Sequence, residues 1–135
     1  MVRFRHTHVV AIAALLAGFG ALGCANVSDP ALMFRETQRR YTQLMRFTDY
    51  EKAGRFVAPD DRSAFRDRTA ALGDLRFTDY EVREVENLGD TGTAHVEYIG
   101  YRASDPVVMT YVEDQQWERD GGAWVVRSKI SVRTP

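Results

Sequence analysis

The sequence predicts an α+β fold in which N-terminal helices are packed in a curved four-stranded antiparallel sheet. Three observations lead there. Between Pro30 and Gly73 apolar residues recur at helical spacing. After Gly73 the texture changes to alternating, β-branched and aromatic residues. Turn signals at Asn87 to Gly92, Ser104-Asp105-Pro106 and Asp120-Gly121-Gly122 then divide that second part into four segments. With 135 residues, 44% hydrophobic and 27% charged, one domain is the expected size class.

The elements follow in order. Ser28 and Asp29 offer N-cap side chains directly before Pro30, whose fixed φ suits a first helical position. Met33, Thr37, Tyr41 and Leu44 continue the period, so a first helix is expected over about 30–47. Thr48-Asp49-Tyr50-Glu51 has the form of a capping box and predicts a short second helix, ending by the Ala58-Pro59 break. Asp60 and Asp61 suit the positive end of a third helix that turns Phe65 and Leu72 inward and is stopped by Gly73. Strands are expected near 75–86, 93–102, 107–119 and 123–133. The hexapeptide Arg-Phe-Thr-Asp-Tyr-Glu occurs at 46–51 and again at 76–81, but its flanks differ, so the copies belong to different structures.

The last hairpin carries the most information. A two-residue Asp120-Gly121 turn opposes Trp117 to Trp124, Gln115 to Val126, Glu113 to Ser128, Tyr111 to Ile130 and Met109 to Val132 on one face. The other face pairs Asp114 with Arg127 and Val112 with Lys129 and belongs in solvent. The paired tryptophans and the opposite charges both favour this register over a Gly121-Gly122 turn.

Helices first, then a sheet ending in Gln116-Trp117-Glu118-Arg119-Asp120-Gly121-Gly122-Ala123-Trp124, resembles the nuclear transport factor 2-like superfamily, also called cystatin-like or SnoaL-like, over roughly residues 31–133. That resemblance implies a cone whose sheet wraps a long helix around a pocket. Its members include isomerases, cyclases and dehydratases as well as binding domains without chemistry.

Tyr111, Glu113, Gln115 and Ser128 share the inner face with the tryptophans, and a carboxylate there needs an explanation. Desolvation is what equips such a group for acid or base work, and ketosteroid isomerases of the superfamily place an acid on a comparable strand. The Arg39-Arg40-Tyr41-Thr42-Gln43-Leu44 stretch resembles their helix bearing an oxyanion-holding tyrosine, which maps to Tyr41. Their second carboxylate has no counterpart, because Ala58-Pro59-Asp60-Asp61-Arg62 reads as a helix start. Tyr41, Tyr111, Glu113, Gln115 and Ser128 are therefore expected to line a pocket, with no residue assigned a catalytic role. The simplest reading of Glu113 is structural, hydrogen-bonded to Tyr41, Ser128 or solvent. His95 lies between inward Ala94 and Val96 and so faces out with no companion ligand; no metal and no cofactor is expected. Outward Ile99, Tyr101, Val112 and Val125 are apolar enough for a homodimer interface.

Residues 1–23 have the layout of an export signal: Arg3 and Arg5, then an uncharged stretch from Val9 to Gly23. Its 15 residues fall short of the roughly 20 that cross a bilayer as a helix. Ala21-Leu22-Gly23-Cys24 resembles the lipobox of bacterial lipoproteins, which implies an acylated Cys24 followed by a tether over 24–30 and the folded domain over 31–135. Ala21 and Gly23 also satisfy an ordinary signal peptidase, which would leave a free thiol. The placement of the sole cysteine directly after the apolar run favours lipidation. Acyl chains at about 0.8 kcal/mol per buried CH₂ would hold the protein on a membrane, and seven tether residues span at most about 25 Å. Ala25 after the cysteine implies, by the same resemblance, the outer membrane, facing the periplasm.

From Cys24 onward sixteen basic residues face nineteen acidic ones, a charge of −3, which excludes a nucleic-acid binder built on a basic face. The expected function is a lipid-anchored cell-envelope binding or accessory protein without chemistry. The alternatives are a small-molecule isomerase or dehydratase-like enzyme using the concave pocket, and an envelope assembly partner that dimerises through its sheet face.

Overall fold

The computed structural model describes residues 29–133, so the expected signal, Cys24 and all but the end of the tether lie outside the described residues. Helix α1 (Pro30–Arg46) starts as its sequence requires, with Asp29 accepting the Ala31 amide at 3.0 Å and Pro30 in the first turn. Its buried stripe is Phe34, Gln38, Tyr41, Thr42 and Met45. Helix α2 (Tyr50–Ala53) tightens into a 3₁₀ turn over Gly54–Phe56, and a second such turn over Pro59–Asp61 leads into α3 (Arg62–Leu72). Gly73 ends α3 at φ 61°, with Phe65 buried and Leu72 half-buried beneath it.

Thr48 corrects one expectation. It does not cap α2; that role falls to Asp49, whose carboxylate accepts the Lys52 amide at 3.3 Å. Thr48 instead closes α1 in the left-handed region at φ 56°. Its amide reaches Met45 O at 3.0 Å and the next amide reaches Leu44 O at 2.9 Å, the two bonds of a Schellman motif. The chain had to leave α1 before it could begin α2, and the exit took the threonine.

Strands β1 (Leu75–Asn87), β2 (Thr91–Arg102), β3 (Asp105–Asp120) and β4 (Ala123–Val132) form one antiparallel meander in the order β1-β2-β3-β4. Irregularities at Phe77/Asp79 and Val82/Glu84 in β1, and at Gly100/Arg102 in β2, bend the sheet. The concave face closes over α1, where Phe34, Tyr41 and Met45 meet Phe77, Val96, Tyr98, Trp117, Trp124 and Val126. Gly92 lets α1 approach, since a Cβ there would lie 2.6 Å from the Phe34 ring. The edge of β4 is covered where Val57 bridges Val126 and Ala58 N bonds Val126 O at 3.0 Å. The repeated hexapeptide indeed falls in two structures, across the α1–α2 junction and inside β1.

The hairpin register is the second correction. Gly121 and Gly122 form the turn, both at positive φ (56° and 88°), which a two-residue I′ loop needs and two glycines adopt at less steric cost than Asp120 with Gly121. Trp117 accordingly opposes Val126, Gln115 opposes Ser128, Glu113 opposes Ile130 and Tyr111 opposes Val132. The shift is two residues, an even number, so every side chain keeps its expected face. Met109 and Val132 lose each other and are exposed. On the outer face Asp114 opposes Lys129, while Arg127 bonds Glu118 and Asp60 in place of Asp114. That Arg127–Glu118 pair lies across Val125, which is 8% exposed and so adds nothing to an outer apolar surface.

Candidate functional site

Four elements converge on a buried carboxylate. The long β3 carries Glu113 and Gln115 inward, β2 brings Tyr98, β4 brings Ser128, and α1 lays Gln38, Tyr41 and Thr42 across them. Glu113 is wholly inaccessible. Tyr41 donates to its Oε1 at 2.8 Å, and Tyr98 and the Gln115 amide donate to its Oε2 at 2.7 and 2.9 Å. Three donors and no acceptor meet the group, which is the surrounding a carboxylate needs in an apolar interior.

The proton directions follow from counting hydrogens. Tyr41 has one, and it goes to Glu113; the 2.9 Å contact between Tyr41 and Ser128 is therefore a bond donated by the serine. Burial first, and then the charge of Glu113, push the Tyr41 and Tyr98 hydroxyls well above the usual phenol range, so both remain donors. Behind Gln115 the network continues without a gap. Its second amide hydrogen reaches Thr42 at 3.1 Å, while Gln38 donates to Thr42 at 2.9 Å and to Gln115 Oε1 at 3.2 Å. Trp117 Nε1 also donates to that oxygen, at 3.1 Å.

One end of this network reaches a cavity of about 250 Å³ between α1, α3 and β4. Met45, Phe65, Ala71, Leu72 and Ile130 supply an apolar wall, and Ser128, Arg68 and Thr69 are the polar groups on it, the Thr69 hydroxyl donating to the helix carbonyls of Phe65 and Arg66. Arg68 is held by Asp61 through two bonds of 3.1 and 2.7 Å, which raise its already high basicity and keep it a cation. With its proton spent on Tyr41, Ser128 offers the cavity an acceptor oxygen. Arg68 offers donors.

Of the five residues expected to line a pocket, Ser128 borders this cavity. Tyr41, Glu113 and Gln115 form the network behind it, and Tyr111 is buried against Phe77 with ring centroids 5.7 Å apart. Tyr98, Gln38, Thr42 and Arg68 were missed by sequence reasoning. Tyr98 had a usable signal, since it shares the parity of inward Ala94 and Val96; Gln38 and Thr42 lie on the Tyr41 stripe. Arg68 had none, because an arginine on a polar helix reads as a solvated one. His95 faces the outer side, with Nδ1 2.7 Å from Asp114. Tyr50, next to a second, open groove of about 370 Å³, keeps a buried hydroxyl without a partner among the described residues. Burial pushes that phenol up to about 12.

No protein-family model matches the chain, and no curated protein matches it by sequence. Solved structures do match. A ketosteroid isomerase-like protein from Erwinia carotovora atroseptica SCRI1043 is similar over 76% of this chain and 95% of its own, at 16% identity and a TM-score of 0.63. A chain from Exiguobacterium sibiricum 255-15 assigned as a calcium/calmodulin-dependent kinase II association domain is similar over 80% and 96%, at 10% identity and a TM-score of 0.61. A SEC-C motif protein from Rhodopseudomonas palustris is similar over 74% and 77%, at 16% identity and a TM-score of 0.53. The shared feature is the fold, an α+β cone of the nuclear transport factor 2-like type.

Proposed function

We propose that this cone domain is a lipid-anchored binding or accessory protein of the cell envelope, which holds a small, largely apolar ligand in the cavity between α1, α3 and β4. The observation that carries the reading is the state of Glu113: both oxygens are taken by three protein donors, and no part of it is accessible. A base in that position cannot reach a ligand directly. The cavity, by contrast, is largely apolar, with hydroxyl oxygens at Ser128 and Thr69 and one cation at Arg68, a pattern that orients a ligand without transforming it. It suits a compact skeleton with a hydroxyl or amine at one end and an acceptor or negative charge at the other. Acylation at Cys24 supplies the compartment, with the outer membrane facing the periplasm as the destination.

The test is a thermal-shift and calorimetric screen of small apolar alcohols and hydroxy acids. A hit should weaken about tenfold in Ser128→Ala and in Arg68→Met, and should vanish in Leu72→Trp, which fills the cavity. Binding unchanged by Leu72→Trp would overturn the site. Fatty-acid labelling of cells should be lost in Cys24→Ser; persistent labelling would overturn the anchor.

A second reading is favoured by one observation, the unbroken line Ser128–Tyr41–Glu113 from cavity to carboxylate. If proton transfer runs along it, the protein is an isomerase or dehydratase-like enzyme. Turnover of a bound carbonyl compound that Glu113→Gln abolishes while binding persists would establish that reading over the first.

A further inference from the structure

We propose that the solvent face of α1 lies flat against an anionic lipid bilayer and so sets the orientation of the domain on the membrane. Opposite the buried stripe, within a sector of about 160° at 3.6 residues per turn, this face carries Arg35, Arg39 and Arg40 together with the apolar Leu32, Met33 and Phe47. Its carboxylates are Glu36 and, at the N-cap, Asp29, against the three arginines.

Among the described residues, the three arginines have no ion-pair partner. Arg68, Arg102 and Arg133 each have one and Arg83 and Arg127 have two, while Arg46, Arg62, Arg66 and Arg76, like the three, have none among the described residues. Phe47, 71% exposed, stands at the far end of the same face with the Arg46 guanidinium 5.1 Å from its ring. Cations flanked by exposed apolar side chains form the pattern of a helix that rests in a lipid interface.

The rest of the molecule argues for a charged surface on this side. Residues 30–73 hold nine basic and six acidic side chains, whereas residues 74–135 hold seven and twelve. An anionic plane therefore attracts the helical side and repels the sheet, which a nucleic acid or a free anion would have to match with a local cation cage that α1 lacks. The anchor reading adds proximity, because α1 begins six residues after Cys24; the docking geometry draws on that reading only for its strength. Each arginine near an anionic leaflet changes the equilibrium about fivefold, so three change it on the order of a hundredfold. A tethered domain at millimolar effective concentration is held in one orientation by that much.

The experiment uses the full chain, isolated with its membrane anchor and reconstituted into vesicles of phosphatidylcholine with or without 30% phosphatidylglycerol. Gln43→Cys on the α1 face, or Thr93→Cys on the outer sheet face, carries an environment-sensitive fluorophore, and brominated lipid acts as quencher. Intact mass reports whether Cys24 is acylated and therefore unlabelled, and a Cys24→Ser series repeats the measurement without it. Position 43 should be quenched several-fold more than position 93 in anionic vesicles, and the excess should disappear in Arg35→Gln/Arg39→Gln/Arg40→Gln and in 0.5 M salt. Equal quenching at the two positions, or an excess indifferent to lipid charge or to the triple substitution, would overturn the docking. An unmodified mass with the excess retained in Cys24→Ser would overturn the anchor alone and leave the docking supported.

Discussion

Glu113 is the residue on which the interior turns. Its two oxygens receive three donors, so replacing it removes acceptors that three buried groups depend on. Glu113→Gln presents an amide to a site that offers only donors, and should cost about 1–3 kcal/mol in urea denaturation. Glu113→Leu, which orphans all three donors, should cost more, about 3–5 kcal/mol. A leucine variant as stable as the glutamine one would show that water replaces the carboxylate. The tyrosines make a pH prediction. Tyr41 and Tyr98 have hydroxyls raised well above their unfolded value, so above pH about 10 the unfolded chain releases protons that the folded chain keeps. Stability from these groups is fully present below that pH and is lost as the pH climbs from there toward the raised values. The alkaline fall in urea midpoint should be shallower in Tyr98→Phe; an unchanged slope would place the titrating groups elsewhere.

At the scale of elements, the turn residues decide more than the strands do. Thr48 and Gly92 hold opposite kinds of constraint. Thr48 is a β-branched residue in the left-handed region, so Thr48→Gly should raise stability by up to about 1 kcal/mol by relieving the Schellman position. A thermal midpoint that falls would mean the threonine hydroxyl does more there than its backbone strain costs. Gly92 has the Phe34 ring where a Cβ would go and Glu86 O at 3.0 Å, so Gly92→Ala should cost about 1–3 kcal/mol and separate α1 from β2. The strands themselves were legible because alternation is a local property: four were expected and four are observed, within a few residues at each end. The β3–β4 register was not, because the Trp117–Trp124 pair and an Asp114–Arg127 pair argued from side chains, while the loop obeyed backbone φ at Gly121 and Gly122. Since the error was even, Glu113, Gln115 and Ser128 still pointed inward, and the candidate site survived it.

For the whole molecule, the polar network matters because it joins every layer. Gln38, Tyr41 and Thr42 from α1 are tied to Tyr98, Glu113, Gln115 and Ser128 from three strands. Helix and sheet should therefore unfold together, with far-ultraviolet dichroism and tryptophan fluorescence giving coincident transitions in residues 24–135. Two separated transitions would show that α1 leaves the cone while the sheet persists. The charge division has the same reach, since a positive helical side and a negative sheet side give the cone a front and a back that neutral packing alone would not.

Element order and the inward parity of Ala94, Val96, Glu113, Gln115 and Ser128 were determined by the chain alone, because helical period, alternation and glycine turns act over a few neighbouring residues. Which buried polar groups meet was decided only by tertiary structure. Tyr98 joins Glu113 from 15 residues away and Tyr41 from 72, and whether a hydroxyl gives or receives its proton there depends on all the partners at once. Arg68 reaches the cavity by the same kind of long-range placement, through the docking of α3 against β4 and its bonds to Asp61. Local rules carry no information about such pairings, whose free energy exists only after the intervening chain has folded.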